Sequence, residues 1–219
     1  MEPWLRSLSI SAALFALVAS TTPSSAADSA KSIAEAAGHF PDTIATVYAV
    51  APLPLSTSPG GPAVGTLNPS SSAKVLAVEG DDLKVEIRGW QQGSGGRLVF
   101  LAAGRRIPVA EMKDDQKGLL RRGATQTDGT TGQEWTEVSL EAYAPRKQFV
   151  GNVELLWTYA EELMNANCTT CHARHPVDHF TANQWAGLIR TKKERVTASA
   201  DQLTLMGQYV QKHASDMVK

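Results

Sequence analysis

Leu83-Lys84-Val85-Glu86-Ile87-Arg88 alternates one apolar with one charged residue over six positions. A period of two puts Leu83, Val85 and Ile87 on one side of an extended chain and the charges on the other, as in a strand with one buried and one wet face. A partner arm precedes it. Lys74 to Glu79 (KVLAVE) is joined to it by Gly80-Asp81-Asp82, a turn sequence, so the pair predicts a hairpin. Outward from the hairpin the texture persists. Thr43 to Val50 (TIATVYAV), Arg97 to Leu101, Arg106 to Ala110 and Glu134 to Leu140 are further strand candidates. Loops part them at Ser56 to Pro62 (STSPGGP), Gln91 to Gly96 (QQGSGG) and Thr125 to Gly132. Short strands with frequent turn signals predict a small β barrel or sandwich. The region carries no catalytic triad or phosphate loop and reads as a rigid platform.

After Gly151 the period becomes helical. Leu155, Leu156, Tyr159 and Leu163 recur at helix spacing. Thr181 and Gln184 have capping-box spacing and start a second helix, on which Trp185, Leu188, Ile189 and Lys192 share one face. Ser199 and Gln202 repeat the box before a third helix. Its Leu203, Met206 and Val210 share a face, with Tyr209 and His213 at the margin. The expectation is an α+β chain: a β domain over 42–151, then a small helical domain over 152–219. Asp28 to His39, rich in Ala, reads as a short helix or a frayed tail.

A chain of 219 residues suffices for one compact domain or two small ones. Its 21 Lys+Arg against 22 Asp+Glu supply neither a basic field for nucleic acid nor an acidic tail. The first residues read as an export signal over 1–27: Arg6 (opposed by Glu2), the apolar stretch Leu8 to Val18, then Ser24-Ser25-Ala26-Ala27 as a cleavage site. An uncleaved amphipathic anchor is the other reading. The apolar stretch is short for a bilayer, and no later one reaches the ~18 residues that a crossing needs. The expected location is the periplasm, with no transmembrane segment after cleavage.

Both cysteines fall in Cys168-Thr169-Thr170-Cys171-His172. C-x-x-C-H reads as covalent c-type haem attachment. Two thiols a short turn apart can each add to a vinyl group, and the adjacent imidazole can ligate the iron. A thioredoxin-like pair would want a preceding strand, and here a helix precedes. Zinc could recruit Cys168, Cys171, His175 and His179, but four ligands within twelve residues, stiffened by Pro176, make a cramped cage. A structural disulfide is the remaining rival.

Two resemblances extend this reading. The strand region resembles the bacterial SH3-like barrel in its short strands and its Gly89-Trp90 pair. The last third resembles the C-terminal monohaem domain of the multihaem quinol dehydrogenases that serve periplasmic trimethylamine-N-oxide reductase. The matching features are C-x-x-C-H at 168–172, DHFTANQW at 178–185 and QYVQKHA at 208–214. The family's N-terminal membrane helix and four-haem module have no counterpart, so the expectation is that domain as a free-standing exported protein. The resemblance implies one covalent haem c, held by thioethers at Cys168 and Cys171 with His172 as proximal ligand. It implies an electron-transfer protein and no enzyme. The implied partners are a quinol-linked membrane multihaem cytochrome and a molybdenum reductase of N-oxides or S-oxides.

The distal ligand stays open. Related small cytochromes often carry Met seven residues beyond this Trp, where Lys192 stands. A ligating lysine must be neutral, which desolvation and metal coordination both favour; otherwise Lys192 snorkels to water. Met206 is the thioether alternative, although such a Met is more often core filler. An open site would admit small ligands and favour a haem-based sensor. Arg190, Lys192, Lys193 and Arg195 form either a docking patch for an acidic partner or a solvated helix end. An SH3-like binding module and a zinc-stabilised interaction domain are the other function classes.

Overall fold

The computed structural model describes residues 25–93, 95–169 and 173–217. The expected signal segment up to Ser24 lies outside them. In chain order the elements are α1 (Ala26–Ala36), β1 (Thr46–Ala49), β2 (Leu53–Ser56), β3 (Ala63–Leu67), β4 (Ser72–Glu79) and β5 (Asp82–Gln92). There follow β6 (Leu98–Ala102), β7 (Arg105–Met112), β8 (Arg121–Thr127), β9 (Glu134–Pro145), β10 (Phe149–Val150), α2 (Glu154–Cys168), α3 (Ala182–Arg190) and α4 (Ala200–Lys212).

β5 is the spine. Leu83, Val85 and Ile87 are buried as their alternation requires, and the same face continues through Gly89 and Gln91. The β4–β5 hairpin forms with Gly80 at a positive φ of 63°, a conformation that costs glycine little. Gln91 and Gln92 extend β5 where the sequence suggested a turn. β5 pairs along its whole length with β9, from Asp82↔Pro145 to Gln92↔Trp135. That pairing closes the path β5-β6-β7-β3-β2-β9 into a ring. Leu53, Leu55, Val85, Val109 and Leu140 fill it.

Four strands escaped the sequence reading, one of them the two-residue β10. β2 and β3 lie within Leu53 to Leu67, where Pro54 and Gly65 break the β texture. β8 is exposed at every position, so it has no inward face to alternate; its ladder to β9 holds it.

The helices stand against one side of the ring. α3 and α4 begin at the anticipated capping boxes, Thr181 with Gln184 and Ser199 with Gln202. α1 is a formed helix, capped by Ser25 and Asp28, and Ile33 carries it into the same core as Leu156, Met206 and Val210. The helical layer is thus assembled from both sides of the strand region. A cut near Ala27 would fall in the first turn of α1 and remove its cap.

The joint between layers is polar. β7 turns Val109 into the ring and Ile107 into the helical core. On α4, Gln208 donates to the Pro108 carbonyl at 2.7 Å, and Gln211 to the Arg106 and Ala182 carbonyls at 3.1 Å. Asn183 on α3 donates to the Gly104 carbonyl and accepts from the Arg106 amide. Arg105 pairs with Asp216 at 2.8 Å.

Candidate haem site

α2 ends on Cys168. Its Leu156, Ala160, Leu163 and Met164 are buried, which fixes the helix against the core and sets where the thiol emerges. Cys171 and His172 lie outside the described residues. Cys168 is half-buried, and burial pushes its thiol above the ordinary value, while the Arg174 and Lys192 charges pull it down.

Cys168 lines a cleft with Met164, Trp185, Leu188, Ile189 and Lys192. Trp185 is held firmly: its indole N–H donates to the Val177 carbonyl at 2.7 Å, and its ring meets Phe180 edge-on at 5.0 Å. α3 stops at Arg190, but the following turn continues its face, with the Lys192 amide bonded to the Ile189 carbonyl at 3.0 Å. Lys192 therefore reaches the cleft as the periodicity implied. Met206 is 1% exposed in the helical core and does not line the cleft.

Arg174 and His175 complete the lining. Arg174 Nη2 donates to Glu161 at 3.0 Å, while its Nη1 is buried with no hydrogen-bond partner among the described residues. A buried guanidinium N–H left unpaired is costly and marks a place for an acceptor. Sequence reasoning passed over Arg174, because its burial depends on α2 packing beside it. It also passed over Gln208 and Gln211, which two polar positions on an otherwise apolar face could have signalled.

Of the four residues in the zinc alternative, Cys171 lies outside the described residues. Among the described residues no three His, Cys, Asp or Glu side chains gather as a metal site. His175 and His179 stack at 5.2 Å instead.

The residues present fit a haem. A thiol, an apolar wall and an unpaired cationic donor suit a flat hydrophobic group that bears carboxylates. The cleft measures about 120 Å³, less than a macrocycle fills, so the described residues supply one wall of such a site.

Comparison with known proteins shows a class that the chain is similar to, the c-type cytochromes. It is 30% identical over 173 residues to cytochrome c-type protein TorC of Escherichia coli K12, covering 78% of this chain and 44% of that one. It is 29% identical over 153 residues to cytochrome c-type protein TorY of Haemophilus influenzae, covering 70% and 42%. More particularly, the family described as the TorC third cytochrome c domain matches residues 41–149. That segment is the strand region and ends before α2. The chain spans less than half the length of these relatives. No solved structure gives a significant match. Both relatives are named as c-type cytochromes, the class to which the electron-transfer expectation belongs. Among the described residues no helix is long and apolar enough to cross a membrane.

Proposed function

We propose that this chain is a periplasmic electron carrier with one covalent haem c. It takes electrons from a quinol-linked membrane cytochrome and delivers them to a molybdenum reductase of N-oxides or S-oxides. The observation that carries the reading is the Cys168 cleft. The first thiol of a C-x-x-C-H motif opens beside Trp185, Leu188 and Ile189, with the unpaired Arg174 N–H at its margin. The resemblance of the last third and the kinship with TorC and TorY support the same class. A haem supplies an iron that exchanges one electron at a time.

The chain's own residues would act as follows. Cys168 and Cys171 would form thioether bonds, and the His172 imidazole would ligate the iron. Trp185, Leu188 and Ile189 would exclude water from one face, which raises the electrostatic influence of every nearby charge. Lys192 is the distal candidate that the cleft favours. It stands on the lining, whereas Met206 is committed to the core. An SH3-like identity for the strand ring accords with its short antiparallel strands, and its role is to hold the helical layer.

The test is the mass of the protein produced with haem-attachment machinery. One added haem is expected, and replacing both Cys168 and Cys171 by Ala should abolish it. An unmodified polypeptide would refute the reading. Lys192→Ala should shift the Soret band and lower nitrogen-ligand signatures in paramagnetic resonance. Unchanged spectra would remove Lys192 as a ligand.

A further inference from the structure

A groove of about 560 Å³ runs where β6 and β7 meet α3 and α4. Its apolar lining includes Leu98, Phe100, Ala186, Ile189 and Leu203, and Leu98 is 38% exposed. Three exposed cations, Arg106, Arg190 and Lys193, stand on the same lining, which contains no Asp or Glu among the described residues. None of the three side chains forms an ion pair among the described residues. The lining also includes Gln208, 2% exposed. Its amide nitrogen is spent on the Pro108 carbonyl, and its Oε1 is buried without a partner among the described residues. Three unneutralised cations around an apolar floor call for anions that bring apolar side chains with them. A buried acceptor calls for an N–H or O–H donor, which any peptide backbone offers.

We propose that this groove docks an acidic, apolar-tipped peptide segment of the protein's redox partner. The proposal rests on the electron-carrier reading for the identity of the partner. It has a positional argument as well: Ile189 lines both this groove and the Cys168 cleft. A segment seated in the groove lies one side chain from the cleft wall, where close approach favours transfer. The apolar contacts set the seat, the cations steer the approach, and salt weakens the association.

The probe is a fluorescent eight-residue peptide alternating leucine and aspartate, titrated into the full chain and followed by anisotropy. Saturable binding is expected, weakened about tenfold between low and physiological salt. The double variant R190E/K193E should weaken it at least tenfold, and Gln208→Leu about fivefold. Both cation positions are exposed, and an unchanged far-ultraviolet circular dichroism spectrum checks that the double variant is folded. A peptide with lysine in place of aspartate should not bind. Equal binding by the double variant, equal binding of the lysine peptide, or no binding of the acidic peptide would overturn the proposal. Haem content, read by mass on the same preparations, keeps the two ideas apart. A haem-free polypeptide that still binds the acidic peptide would end the electron-carrier reading and leave the groove a docking site.

Discussion

The strand ring and the helical layer solve burial in different ways. In the ring, β5 and β9 pair along nearly their full length, the core is mostly apolar, and its buried Gln91 and Thr136 find partners within the fold. The helical layer leaves groups open. Of the buried side-chain polar atoms without a partner among the described residues, Glu162 Oε2 and Gln208 Oε1 lie on helices and Arg174 Nη1 on the segment between α2 and α3, while Trp135 Nε1 alone belongs to the ring. Arg174 and Gln208 each line an opening. The contrast separates a platform finished by its own ladder from a layer that is completed by what binds to it.

One substitution type, made in both regions, tests that contrast most severely. At Gly89 an added Cβ would stand 2.5 Å from the Phe100 carbonyl oxygen and 2.5 Å from Val99 Cγ1. The carbonyl is backbone and cannot swing aside. Gly89→Ala should therefore cost about 3 kcal/mol, read as a lower urea midpoint. At Gly187, inside α3, a Cβ meets nothing within 4 Å. Gly187→Ala should stabilise by about 0.8 kcal/mol through helix propensity. If both changes were neutral, the claim that the ring is the tightly completed region would fail.

A smaller effect concerns the seam. Lys212 lies partly at the surface, but its ammonium is enclosed, donating to the Ser70 carbonyl at 2.8 Å and Oγ at 3.1 Å near the Trp157 ring. Burial pushes its pKa down to about 7. In the unfolded chain a lysine titrates near 10.4. Between these values the unfolded state holds a proton that the folded state lacks, so stability rises with pH across this window. Below pH 7 both states are protonated and the penalty is constant. Thermal melts at pH 7 and pH 9 should show Lys212→Met losing about 2 kcal/mol of this gain relative to the parent. Parallel pH profiles would show that the ammonium is not desolvated at the seam.

The sequence made the local features legible and hid the tertiary ones. The alternation in β5 and the capping boxes of α3 and α4 are properties of neighbouring residues, and they formed where expected. Lys192 was legible for a related reason: its position continues the face of Trp185 and Ile189 even though α3 has ended. β8 carries no apolar alternation and exists because β9 offers it a ladder. Arg174 looks like a surface residue until Glu161 of α2 draws its guanidinium inward. The thiol at Cys168 was named by its motif, but the cleft it faces comes from the meeting of α2 with α3.

The finest test falls on Arg174, where the platform contributes nothing and the helical layer alone decides. If its unpaired Nη1 donates to a carboxylate of an attached haem, its positive charge opposes the added positive charge of the oxidised iron and so favours the reduced form. Arg174→Gln keeps a donor of similar reach and removes the charge. The reduction potential should then fall by about 30 mV, roughly a threefold change in the equilibrium of a one-electron couple at 59 mV per decade. Arg174→Lys, which retains the charge but not the planar fork, should fall between the two. Haem content should stay complete in both variants, because attachment is covalent through the cysteines. An unshifted potential in the Gln variant with full haem content would show that the open N–H faces water or protein instead, and that the helical layer's vacant donor is unrelated to its cofactor.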